Sequence, residues 1–194
     1  MRSIPLLCAA VAFSLSAYAS DDKSAQKPTD PEIAAIVVTA NQIDIDAGKL
    51  AQSKSTNAQV KELAMRMVED HTSVNAKAGA LAQKLNLTPQ ESDTSRSLKQ
   101  GADKTMTQLQ SLEGAAFDKA YVDNEVAYHK AVIDVMNKQL VPGAKNAELK
   151  ALLVQSGPAF KAHLKHAQQV QKALGGKATG AGTGGGHEGS TQHH

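Results

Sequence analysis

VKELAMRMVEDHTSVNAKAGALAQKL, residues 60–85, decides the fold. Val60, Ala64, Met67, His71, Val74, Ala78, Leu81 and Leu85 recur at alternating steps of four and three, which is the inward stripe of one long helix. The middle of that stripe is His71, where a hydrophobic residue is expected. Working outward, Val122, Val126, His129, Ile133, Met136 and Leu140 keep the same alternation, as do Leu149, Leu153, Ser156, Phe160, His163, Ala167, Val170 and Leu174. Each of these stripes again carries one histidine. Upstream, Ile33, Val37, Ala40, Asp44, Ala47 and Ala51 trace a fourth stripe, broadened by Ile36, Ile43 and Leu50, with Asp44 inward or nearly so.

Alanine, leucine, lysine and glutamine dominate, and no alternating strand pattern occurs after the first segment, so the class is all-α. Thr29-Asp30-Pro31-Glu32 starts the first helix, with Thr29 or Asp30 as cap, and that helix runs to about Lys54. Thr56 with Gln59 reads as a capping box for the second helix, which continues to about Leu85. Thr88 to Glu113 is too sparse in apolar residues for a core helix and reads as a crossover of one or two short helices interrupted near Gly101. A third core helix is expected from about Ala115 to Leu140, a turn at Val141-Pro142-Gly143, and a fourth helix from about Asn146 to Leu174, kinked at Gly157-Pro158. Two helical hairpins joined by a long connection make a four-helix bundle with one crossover between helices 2 and 3, the arrangement of ferritin-like folds.

Arg2, the apolar run from Ile4 to Ala17 and Ala17-Tyr18-Ala19 read as a secretory signal over residues 1–19. Cys8 follows too few residues to be a lipid-anchor cysteine, and as the sole cysteine it would leave with the signal. The mature chain then has no thiol, which excludes disulfide and thiolate chemistry. Residues 20–29 read as a disordered linker, 30–174 as the bundle, and 175–194 as a disordered tail carrying His187, His193 and His194. No later run suits a membrane-spanning helix. Lys and Arg total 21 against 19 Asp and Glu, without long blocks of one sign, and aromatic residues are 3%, so nucleic acid is not an expected partner.

Three helical histidines and an aspartate on inward stripes either share a buried site or find separate ways to satisfy their hydrogen bonds. Measured from the break near Ser55, Asp44 lies roughly 16 Å along its helix and His71 roughly 24 Å along the next. Side chains tilt toward their own helix N-terminus, which narrows that offset. The same construction about Gly143 brings His129 and His163 closer together, which makes a shared layer feasible. The candidate metal ligands are His71, His129, His163, Asp44 and Glu125, a donor set suited to zinc, copper or iron. Glu125 and His129, one turn apart, would either hold one ion together or pair as a carboxylate orienting an imidazole. Met67 reads as core filler rather than a copper ligand. His166 falls off the stripe and is expected to face solvent, while Tyr121 and Tyr128 are expected to pack with satisfied hydroxyls. No Glu-x-x-His pair occurs, which argues against a di-iron carboxylate centre. No nucleophile or oxyanion-hole motif is recognisable, and no catalytic residue is assigned.

Gly48-Lys49-Leu50-Ala51, Arg66-Met67-Val68-Glu69-Asp70-His71, Phe117-Asp118-Lys119-Ala120-Tyr121-Val122, His129 and His163-Leu164-Lys165-His166-Ala167 resemble an exported bacterial family. That family is the ferritin-like domain of unknown function 4142, often labelled an outer-membrane protein, and the resemblance covers about Pro31 to Leu174. It implies a ferritin-like bundle in the cell envelope and points to His71, His129 and His163, without supplying a reaction. The chain departs at Asp44, where the family more often has glutamate, a side chain one bond longer. Lacking barrel-strand alternation, the chain is expected in the periplasm or envelope of a Gram-negative bacterium rather than as an outer-membrane barrel. The functional expectation is transition-metal binding, for sequestration or envelope stress, with affinity falling as the histidines protonate below about pH 6. The alternative is an interaction or structural module that binds another envelope protein without metal, its histidines only specifying core packing.

Overall fold

A computed structural model describes residues 27–178. The expected signal segment with Cys8, most of the expected linker, and His187, His193 and His194 of the expected tail lie outside the described residues. Among the described residues five long helices are present: α1 (Asp30–Lys54), α2 (Ala58–Lys84), α3 (Asp93–Ser111), α4 (Gly114–Val135) and α5 (Ala147–Ala178). No strand occurs among the described residues. The all-α expectation holds, and α1 packs chiefly on α2 and α4 on α5, with α2–α5 and α1–α4 contacts closing a four-helix bundle. The connecting helix α3 lies along α1 and touches α4.

Local chemistry sets most boundaries. Thr29 caps α1, and the Glu32 carboxylate reaches back to accept from the Thr29 backbone N–H at 2.8 Å. The cap of α2 is Asn57 rather than Thr56, because its amide oxygen accepts from the backbone N–H groups of Gln59 (2.9 Å) and Val60 (3.4 Å). The crossover is a single helix that starts at the Ser92 cap and passes through Gly101 unbroken. A mid-helix glycine costs only about 1 kcal/mol relative to alanine, which neighbouring contacts offset.

The expected turn at Val141-Pro142-Gly143 is instead helical, and α4 continues through a π-helical turn at Met136–Leu140 to Gly143. In a regular α-helix the Pro142 ring would clash with the carbonyl four residues back, and the wider turn just before it relieves that clash. Pro158 lies inside α5, which also runs four residues past the expected end at Leu174. The real α4–α5 connection is pinned by Asp30, whose carboxylate accepts from the backbone N–H groups of Lys145 and Asn146, both at 2.9 Å.

Two apolar clusters fill the bundle. Near the α1–α2 turn, Val60, Leu63, Ala64, Met67, Phe117 and Val122 are fully buried with Ala51 and Ala167. Met67 therefore sits in core packing, as expected. Toward the opposite end, Ile33, Ile36, Leu140, Ala144, Leu149 and Leu153 form the second cluster. The inward histidines belong to neither cluster. No described helix is long and apolar enough to cross a membrane.

Candidate metal centre

Each long helix delivers one polar side chain or more to a common layer. Asp44 from α1, His71 from α2, Glu125 and His129 from α4 and His163 from α5 are all at most 2% exposed. The offset counted along α1 and α2 is closed by side-chain tilt: the Asp44 Oδ2 atom is 3.1 Å from His71 Nε2 and 3.6 Å from His129 Nε2. The three imidazole rings meet one another, with centroids 5.6 Å (His71–His129), 5.1 Å (His71–His163) and 5.4 Å (His129–His163) apart. One ligand atom from each histidine falls in a set spanning at most 4.8 Å, and Asp44, Glu125 and His129 form a second such set.

The outer face of each ring decides which nitrogen carries its proton. His129 Nδ1 lies 3.0 Å from the Glu125 backbone carbonyl, an acceptor only, so Nδ1–H donates. His163 Nε2 lies 2.8 Å from the Asp70 carboxylate and donates there. His71 Nδ1 donates to Asn41 Oδ1 at 2.7 Å, and Asn41 is fixed in turn by donating its amide to Asn75 Oδ1 at 3.0 Å. In the neutral rings, therefore, His71 Nε2, His129 Nε2 and His163 Nδ1 present lone pairs, and none of the three has a hydrogen-bond partner. Histidines oriented by a carboxylate or carbonyl behind the ring are the arrangement that metal ligation favours.

Electrostatics follow from burial. Desolvation, only partly opposed by Asp44 and reinforced by the other two histidines, lowers the His71 pKa from 6.5 to about 4. Desolvation also lowers His163, against the hydrogen bond to Asp70. Partial burial raises Asp70, but its hydrogen bond and attraction to His163, with Arg66 behind, bring it below the usual carboxylate range. Burial and then the neighbouring Asp44 carboxylate push Glu125 well up, which favours its neutral form. Burial likewise raises Tyr121 and Tyr128.

Of the flanking residues, the Tyr128 hydroxyl donates to the Ala40 carbonyl at 2.9 Å as expected, whereas the Tyr121 hydroxyl and both Glu125 oxygens make no well-aligned hydrogen bond. Nor does His166 face solvent freely, since it is half-buried and its Nδ1 is enclosed without a partner. Asn41, Asn75, Asp70 and Phe160, the last stacked on His71 at 5.3 Å and 14°, complete the surroundings. Sequence reasoning placed Phe160 on an inward stripe but did not pick out Asn41, Asn75 or Asp70 as site residues. Asn41 carried a usable signal, lying one turn before Asp44 on α1, but Asp70 is off the stripe and reaches His163 only because α2 and α5 pack together.

These pKa values set a pH dependence for the metal-free protein. Above pH 6.5 neither folded nor unfolded His71 holds the extra proton, so the group does not affect stability. Between 6.5 and about 4 the unfolded chain takes the proton and the fold does not, so stability falls with acidification and levels off below about pH 4. For His71 alone the loss is on the order of 3 kcal/mol. Urea unfolding of metal-free native and His71→Leu protein at pH 7.5 and pH 4.5 checks this, because the raised Glu125 acts with the opposite sign in both proteins; the same pH dependence in the two would show that His71 is not held neutral.

Comparison with curated proteins and with solved structures finds no match for the chain. A family model described as a domain of unknown function (DUF4142) matches residues 15–170, and the chain belongs to that family.

Proposed function

We propose that the protein binds one first-row transition-metal ion, zinc, copper or iron, inside a ferritin-like bundle, and that it serves metal sequestration or envelope stress in the periplasm. The observation that carries this reading is the set of three buried imidazole nitrogens, each turned inward by an acceptor behind its ring, beside the Asp44 carboxylate and without a well-aligned hydrogen bond. Asp44 supplies the anionic fourth donor, and three nitrogens with one carboxylate suit all three metals.

Magnitudes favour a cation here. Three enclosed imidazole nitrogens, His71 Nε2, His129 Nε2 and His163 Nδ1, make no well-aligned hydrogen bond. At roughly 1–3 kcal/mol each, they would cost a sizeable part of the stability of a typical domain. A structural zinc ion contributes about 10–16 kcal/mol at neutral pH. A bound ion thus turns the least favourable layer of the core into a favourable one. Because His71 resists protonation to about pH 4, its contribution to affinity persists below the pH 6 expected for ordinary imidazoles.

The test is elemental analysis of protein purified without a metal-affinity step, beside a variant with His71, His129 and His163 all changed to Ala. About one metal per chain in the native protein and none in a still-helical variant is the expected result. If both are empty, and added zinc, copper and iron leave native thermal stability unchanged, the metal reading fails and the envelope-interaction alternative takes its place.

A further inference from the structure

Charge that nearly cancels over the whole chain separates along it. Residues 30–148 hold 13 Lys and Arg against 16 Asp and Glu, whereas residues 149–178 hold five Lys and neither Asp nor Glu. Four of those lysines, Lys150, Lys161, Lys165 and Lys172, are exposed on α5. Their separations of 11, 4 and 7 residues are close to three, one and two helical turns, so all four fall in a sector of about 60°. That sector lies across the helix from the buried stripe of Leu149, Leu153, Phe160, His163, Ala167 and Val170. The outer face of α5 therefore carries one row of positive charge roughly 33 Å long.

The row is uncompensated. Elsewhere in the bundle seven Lys and Arg sit within ion-pair distance of a carboxylate, among them Lys84 with Glu148 and Lys138 with Asp134, but the four lysines of the row have no such partner among the described residues. The carboxylates that reach α5 from its neighbours are already engaged. Asp70 accepts from His163 at 2.8 Å, and Asp123 accepts from Gln171 at 2.7 Å and pairs with Lys119.

The chemistry of the row selects its partner. It contains no Arg and no aromatic residue, the side chains that anchor protein interfaces, and Lys is depleted at such interfaces. A convex helix face without aromatic residues also lacks the groove and stacking platforms that follow a single nucleic-acid strand. An ammonium on a flexible four-carbon stem needs no fixed acceptor geometry, which suits laterally mobile anionic headgroups. In the same sector, between Lys150 and Lys161, Val154 is 56% exposed, the most exposed large hydrophobic residue among those described. We propose that the outer face of α5 docks on an anionic phospholipid bilayer, the helix lying flat with its four ammonium groups among the headgroups and Val154 toward the acyl boundary. The contact stands apart from the metal centre, because His163 leaves the opposite face of the helix.

Vesicles of phosphatidylcholine alone, and of equal parts phosphatidylcholine and phosphatidylglycerol, are the probes, sedimented with the full chain and two variants. The native chain is expected to bind the anionic vesicles about tenfold tighter or more than the neutral ones at roughly 0.1 M salt, and to lose that preference at roughly 1 M, where the screening length falls to about 3 Å. Each lysine beside an anionic leaflet contributes about fivefold, so Lys161→Gln with Lys172→Gln is expected to weaken anionic binding by roughly 25-fold. Lys61→Gln with Lys77→Gln removes the same charge from exposed positions on α2 and is expected to cost less than about threefold. The apolar run from Ile4 to Ala17 is the same in every protein, so any attachment it makes cancels in these ratios. Equal binding of the native chain to both vesicle types overturns the proposal whether or not a variant folds, and so does an equal loss in the two variants. Capture by soluble polyglutamate of a native chain that ignores the vesicles overturns it in favour of an acidic protein partner.

Discussion

Zinc at a thousandfold excess over its dissociation constant is expected to raise the thermal midpoint of the metal-free protein by roughly 8–16 °C, and His129→Ala to abolish that rise. The size follows from linkage: such an excess contributes about 4 kcal/mol to the folded state. Each kcal/mol moves the midpoint of a chain of this size by about 2–4 °C. His129 is the position of choice because its ring meets both other histidines and its Nε2 faces Asp44 at 3.6 Å. Asp70→Ala removes no metal ligand, only the acceptor behind His163. It should therefore weaken zinc by about 10–100-fold while still allowing saturation. His71→Leu removes a ligand and also strips Asn41 and the buried Asp44 carboxylate of that ring, so metal-free stability should fall and the zinc response disappear. Calorimetry of the four proteins with and without zinc reads all of this. A native midpoint unmoved by zinc, or a His129→Ala protein that responds like the native one, would falsify the centre.

The parts of this molecule that could be read from residues alone are those governed by periodicity. The stripe through Val60, Met67 and His71 places its residues on one helix face, and the same arithmetic puts His129, His163 and Asp44 inward; all four are buried. Counting along the helices made a shared layer feasible without establishing it, and the structure brings Asp44 Oδ2 to 3.1 Å from His71 Nε2. What resisted reading depends on competition or on long-range packing. Thr56 and Asn57 are both good caps, and the choice of Asn57 rests on its reach to two backbone N–H groups. Pro142 ends most helices, but here a π turn absorbs its clash, an accommodation no local pattern announces. Asp70 and Asn41 fix ring orientation from other helices. Single side chains were legible, and the polar groups behind them were not.

Gly48→Val is expected to destabilise the bundle by about 1–3 kcal/mol and to weaken zinc at least tenfold, although Gly48 touches no metal ligand. A Cβ at this position would stand 2.8 Å from Val68 Cγ2 and 3.1 Å from the Ala64 carbonyl, and neither can retreat easily. Val68 is β-branched and short, and Ala64 offers backbone. The strain must be relieved by separating α1 from α2. Gly48 is one turn beyond Asp44, and Val68 lies three residues before His71, so that separation opens the 3.1 Å approach between the two site residues. Gly79→Ala is the matched comparison: it lies on α2 with open space around the new methyl group, and removing a mid-helix glycine should stabilise by about 0.5–1 kcal/mol without altering zinc affinity. Unfolding and zinc titration of both variants distinguish close helix approach from simple loss of flexibility. If Gly48→Val weakened the fold but bound zinc as tightly as the native chain, the α1–α2 spacing would not be what holds Asp44 against His71, and the centre would have to tolerate far more movement than its interlocked hydrogen bonds suggest.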